Sequence, residues 1–172
     1  MHLSKPILFN ILRYVLLLVI LGTVVFIFAN SMLPPAKSAE QSDTVKDIIV
    51  EILPDDSKAE SFVEEYIRKI AHFTEYGLLG VEVAVYLMLF SRRSWRTLAT
   101  GLLTPFFVGF TDETIQRFSG RGPSIDDVWI DVGGFVLFYI LALAVLFAIL
   151  LAIKMIRAKI NSNLNEREKE NG

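Results

Sequence analysis

RKIAHFTEYGLLGVEVAVYLMLF, residues 68–90, is long and apolar enough to cross a lipid bilayer as a helix, yet it carries one histidine and two glutamates. Each ionisable group in hydrocarbon costs several kcal/mol or more, so such groups persist where they have partners or a task. At 100° per residue Arg68, His72, Glu75, Glu82 and Tyr86 fall within an arc of roughly 80°. The segment therefore reads as a spanning helix with one hydrophilic stripe, and the stripe must meet something other than lipid.

The rest of the chain supports a membrane class. Of 172 residues 53% are hydrophobic, and the mean hydropathy of +0.49 is too high for an ordinary soluble domain. Four apolar runs, about 7–28, 70–90, 98–116 and 129–153, each approach the ~20 residues a spanning helix requires. None alternates, which excludes a membrane β-barrel. The expected fold is all-α: a four-helix integral membrane bundle, one domain over 1–160, with a frayed polar cytoplasmic tail at 161–172. The first run could pass for a signal peptide, but its length favours a retained span. The absence of cysteine excludes disulfides, a thiolate nucleophile and a zinc–thiolate centre. No basic tract suggests nucleic acid.

Charge sets the orientation. Lys5 and Arg13 flank the first span, Arg92, Arg93 and Arg96 lie between the second and third, and Lys154, Arg157 and Lys159 follow the fourth. With four spans all three groups fall on one side, which the positive-inside rule makes cytoplasmic, together with both termini. Residues 30–69 and 117–128 then face outward. In the first of these loops Val45, Ile48, Ile49 and Ile52 recur at helical spacing between Thr44-x-x-Asp47 and Pro54, predicting a short extracytoplasmic amphipathic helix. Ser57-x-x-Glu60 opens a second helix that can run unbroken to Phe90. The turn FSGRGPS, 118–124, ends the third span, and Ser124 with Asp127 caps the fourth.

Depth groups the polar residues further. His72 and Glu75 lie near the outer end of the second span. Asp112, Glu113, Gln116 and Arg117 close the third, and Asp126, Asp127 and Asp131 begin the fourth, with Arg121 in the turn between. In the third span Gly101, Pro105, Asp112 and Gln116 share an arc, with Gly109 beside it, so another helix can approach closely there. The acids at this level outnumber the cations. Buried carboxylates must be paired, metal-bound or protonated, which implicates Arg68 or Lys69, a charged His72, a bound cation or a shared proton. Glu82 alone lies deeper. No H-E-x-x-H, nucleophile elbow or phosphate-cradling glycine loop is present. A divalent metal at His72-x-x-Glu75 with the aspartates is one reading, against the weakness of a single histidine.

These residues also carry a resemblance. KIAHFTEYGLLG followed by DETIQRFSGRGPSIDDVWIDVGG resembles the VanZ family of small bacterial membrane proteins. The pattern falls on Lys69, His72, Phe73, Glu75, Tyr76, Leu79 and Gly80, then Asp112, Glu113, Gln116, Phe118 and Arg121, then Asp127, Asp131 and Gly134. Phe138 stands where a second glycine is common. The resemblance implies a role in reduced susceptibility to teicoplanin-type glycopeptide antibiotics, and supplies no mechanism.

The expected protein is thus a multi-pass protein of the bacterial cell membrane with an outward-facing ligand site built from Lys69, His72, Glu75, Asp112, Glu113, Gln116, Arg121, Asp127 and Asp131. Its partners would be the lipid bilayer and a cell-wall precursor, lipid head group or glycopeptide. The alternatives are an enzyme on a lipid-linked envelope substrate, with His72, Glu75, Asp112 and Asp131 as ligands or acid/base groups and Arg121 holding phosphate, and a proton or ion pathway through Glu82.

Overall fold

Apolar runs without internal breakers become long helices, and the computed structural model, which describes residues 5–33, 57–91, 94–119 and 124–170, is helical with no strand among them. The order is α1 (Lys5–Ser31), α2 (Ser57–Phe90), α3 (Trp95–Gly101), α4 (Thr104–Phe118) and α5 (Ile125–Glu170). The expected amphipathic helix at 44–54 and Arg121 lie outside the described residues. Helix α2 does run unbroken from Ser57, about 51 Å at 1.5 Å per residue.

Among the described residues three segments are long and apolar enough to cross a membrane: Pro6–Ser31, Lys69–Phe90 and Ile125–Glu166. In the second, 44% of the apolar window is buried, against 6% in the other two, so α2 is the central helix and the outer ones turn most of their side chains away. The core is Ile27 of α1, Tyr76, Leu79, Val83 and Ala84 of α2, Val108 of α4, and Phe135 and Tyr139 of α5.

The expected span at 98–116 is not one helix. It breaks at Leu102 and Leu103, whose amides turn back to Ala99 and Thr100 at 3.1 Å each. The cause is Pro105, which has no amide to donate to Gly101 and whose ring crowds that carbonyl. The Leu98 carbonyl, bypassed by the Leu102 amide, accepts a 2.7 Å hydrogen bond from the Tyr139 hydroxyl. A Cβ on Gly101 would sit 2.6 Å from that same hydroxyl, so the glycine keeps the place open. Because a bare carbonyl in lipid is costly, Tyr139→Phe is expected to destabilise the fold by about 1–2 kcal/mol, read as a lower midpoint of thermal unfolding in detergent. A second difference lies at the C-terminus: the tail expected to fray continues α5 as helix to Glu170.

Helices α1 and α2 are antiparallel and joined by a polar ladder. Asn30 Nδ2 donates to Glu75 Oε1 at 2.8 Å, Thr23 Oγ1 to Glu82 Oε1 at 2.9 Å, and Arg13 Nε to the Tyr86 hydroxyl at 3.2 Å. Phe9 and Phe90 meet at the last rung, ring centroids 4.8 Å apart. Glu75 and Glu82 sit one heptad apart, as do Thr23 and Asn30, so both pairs fall on one seam. The lower stripe of α2 is therefore largely helix-packing chemistry.

Helices α2 and α5 run parallel, their contacts rising together along both chains. A Cβ on Gly134 would lie 2.2 Å from the Phe73 carbonyl oxygen, and one on Gly80 would lie 2.5 Å from that of Phe135. Backbone meets backbone at both places, the close approach that small residues permit between membrane helices. Phe138 fits because the space comes from the other side: a Cβ on Gly77 would come within 2.7 Å of its ring. Two parallel helices need a returning segment, and α3 with α4 provides it, from Gly101 beside Leu87 and Tyr139 to Gly109 beside Tyr76 and Val128.

Candidate functional site

At the end where α2 enters the apolar bundle, three helices each contribute one ionisable group, two of them buried and one half-buried. His72 stands on α2 and is 15% exposed; Asp131 on α5 is 1% exposed. Asp112 on α4 is fully buried. One donor atom from each of the three lies within 4.8 Å of the others. His72 Nδ1 and Asp131 Oδ1 are 3.7 Å apart. The helical phases explain the convergence. His72 and Phe73 border the Gly134 crossing, which brings the first turns of α5 against α2, and Gly109 lets α4 settle beside Tyr76 one turn before Asp112.

Neighbouring groups hold this centre in shape. Gln116 Nε2 donates to Asp112 Oδ2 at 2.9 Å, one turn along the same helix. Glu113 Oε2 accepts the Ser124 amide at 3.0 Å, tying the end of α4 to the start of α5. The Ser119 hydroxyl donates to the Ser31 carbonyl at 3.0 Å, tying α4 to α1. Glu75 belongs to the same region, but its hydrogen bond goes to Asn30 of α1. A small cavity of about 10 Å³, just enough for one water, is lined by Lys69, His72, Asp127 and Ile130. Asp127, explicable from sequence as a capping acid, thus also borders the space beside His72.

Carboxylates crowd the centre, and the His72 imidazole faces one of them. Asp131 is acted on by Asp112, Glu113, Asp127 and Glu75, all carboxylates. Neither of its own oxygens accepts a hydrogen bond from a described residue. The fully buried Tyr76 hydroxyl is also without a hydrogen-bond partner among them and feels the same Asp112, Asp131, Glu113 and Glu75. Such a centre suits a cation or a ligand rich in hydrogen-bond donors.

Of the residues expected at the site, His72, Asp112, Asp131 and Gln116 come together. Glu75, Glu113, Lys69 and Asp127 surround them, and Arg121 is outside the described residues. Asp126, counted from sequence among the acids at this level, is exposed at the start of α5. Glu82 is apart, seven residues down the α1–α2 ladder. Tyr76, Asn30 and Ser31 were not counted. Tyr76 was discoverable, because it follows His72 by four residues and so shares its face. Asn30 and Ser31 end an otherwise apolar run, a weaker signal.

A family model described as VanZ/LLP1 matches residues 13–153. The chain belongs to the VanZ/LLP1 family. No curated protein and no solved structure matches it. The VanZ/LLP1 match begins on α1 at Arg13 and ends within α5, and so encloses every residue of the site just described. Its family membership and its apolar helices together make the chain a VanZ-like membrane protein.

Beside the buried centre α4 presents an open groove of about 460 Å³, lined by Phe110, Glu113, Thr114, Arg117 and Phe118. Two phenyl rings and an exposed guanidinium share it, while Glu113 is the residue common to groove and buried cluster.

Proposed function

We propose that this protein exposes the His72–Asp112–Asp131 centre at the extracytoplasmic face and there recognises an envelope component or a lipid-anchored glycopeptide, lowering the action of teicoplanin-type antibiotics. The observation that carries the reading is the meeting of three ionisable groups, two buried and one partly exposed, from three helices at one end of an otherwise apolar bundle. Lipid would penalise each alone, so their convergence marks a place built for a ligand. Orientation is supported by charge. Arg13 at Tyr86, Arg96 on α3 and Lys154, Arg157 and Lys159 on α5 gather toward the end opposite His72, and basic residues favour the cytoplasm. Both termini are then cytoplasmic, with α3 and α4 together making the third crossing.

The α4 groove favours a second reading. Its phenyl rings suit an acyl or prenyl chain and Arg117 suits a phosphate, so an enzyme acting on a lipid-linked envelope substrate would have a place to hold it. In that case His72 and the carboxylates would do the chemistry.

Because the chain has no cysteine, sidedness can be read without background. Asp126→Cys and Lys159→Cys, both at exposed positions, bracket the bundle. With a membrane-impermeant maleimide on intact cells, Asp126→Cys is expected to label and Lys159→Cys to label only after permeabilisation. The reverse pattern would overturn the outward site. Expression should also raise the teicoplanin concentration needed to stop growth, and an unchanged value would remove the antibiotic role.

A further inference from the structure

We infer that His72, Asp112 and Asp131 together bind one divalent transition-metal ion, with zinc the best fit. The donor set is the first argument. An imidazole nitrogen and two carboxylate oxygens, one from each of three helices, lie within 4.8 Å of one another. Donors on a shared ion at ~2.1 Å stand at most ~4.2 Å apart, so the widest pair closes by a fraction of an ångström on binding. The His72–Asp131 pair, at 3.7 Å, already meets that limit.

The second argument is independent of the cluster's composition. Asp131 is 99% removed from solvent, and neither carboxylate oxygen receives a hydrogen bond from a described residue. One of those oxygens faces His72 across the space an ion would occupy. A native fold rarely leaves both oxygens of a buried carboxylate without a hydrogen bond, and a dication shared with the facing His72 would satisfy them while offsetting the carboxylates that surround it. The remaining features fit a metal centre. Gln116 orients Asp112 by a 2.9 Å hydrogen bond, the arrangement by which outer groups fix ligands. A water-sized cavity touches His72 on the side of Lys69, Asp127 and Ile130, so a water can stand next to this ligand. Imidazole among the donors favours zinc over magnesium, calcium or manganese, which prefer all-oxygen sites.

The inference rests on this cluster being the functional centre proposed above, and not on the direction in which it faces. It is tested on full-length protein in detergent, stripped with a chelator, dialysed and titrated with zinc, manganese, magnesium or calcium chloride. Zinc is expected to bind one ion per chain and to raise the unfolding midpoint by about 5 °C at saturation. Manganese should bind more weakly, and magnesium and calcium should leave the midpoint unchanged. His72→Gln and Asp131→Asn should each weaken zinc at least ~10-fold, and Asp126→Asn should not. Circular dichroism and gel filtration report whether each variant is folded, and His72→Gln at the partly exposed rim stands in should Asp131→Asn fail. Wild-type protein that retains no zinc would overturn the site, as would zinc bound equally well by both ligand variants. The outcomes separate cleanly. Zinc binding with no teicoplanin phenotype sinks the proposed role and leaves the metal, and a phenotype without zinc does the opposite.

Discussion

Gly134→Ala is expected to lower the unfolding midpoint by the largest margin of any glycine-to-alanine change among the described residues. The new Cβ would meet the Phe73 carbonyl oxygen at 2.2 Å and its carbon at 3.0 Å. Backbone atoms within a helix cannot swing aside, so α2 and α5 must separate along a seam that also carries Gly80 and Phe135. Overpacking costs about 1–3 kcal/mol where side chains can adjust, and about 3 kcal/mol or more is expected here. Gly133→Ala is the internal control. Its Cβ would find nothing nearer than a Phe73 ring carbon at 4.0 Å, and helix propensity favours alanine by up to ~1 kcal/mol. Adjacent residues with the same chemical change should therefore shift stability in opposite directions. If Gly134→Ala proves as stable as Gly133→Ala when both are melted in detergent, the seam is not the close crossing described.

The second large effect is functional. Asp131→Asn keeps shape and volume while removing an acid from a cluster that also holds Asp112, Glu113, Asp127 and Glu75. Relief of that crowding should hold or raise the unfolding midpoint measured in chelator. Teicoplanin protection should nonetheless fall to the level of cells carrying empty vector. Loss of activity with retained stability is the mark of a group kept for a task. A purely structural aspartate gives the other pattern, in which the folded protein becomes scarce in membranes and protection declines in proportion. Asp126→Asn, exposed at the start of α5, is expected to leave both quantities unchanged.

Helix content and the long α2 were legible because both follow from local rules: apolar runs beyond ~18 residues and a continuous pattern from Ser57 to Phe90. The convergence of His72, Asp112 and Asp131 was legible because depth and helical phase agreed in three separate runs. Three things were less so. The break at Leu102 was signalled by Pro105, yet proline is common in membrane helices, and the outcome depends on whether a group such as Tyr139 can take the bypassed carbonyl. The division of the α2 stripe could not be read from α2 alone. Glu75, Glu82 and Tyr86 face α1 and His72 faces α5, and only the packing order of the helices decides that. Asp126 and Asp127 are adjacent acids with the same propensities, yet one is exposed and the other borders the cavity, which follows from the rotation of α5 about its axis.

The two-residue interruption at Leu102 and Leu103 gives the three corners of the centre unequal stiffness. His72 and Asp131 ride on unbroken rods clamped backbone to backbone. Asp112 rides on a separate fifteen-residue helix, joined to α3 through the tight turn in which the Leu102 and Leu103 amides reach back to Ala99 and Thr100. A guest arriving between them would thus be met by two corners on continuous rods and a third on a short helix of its own.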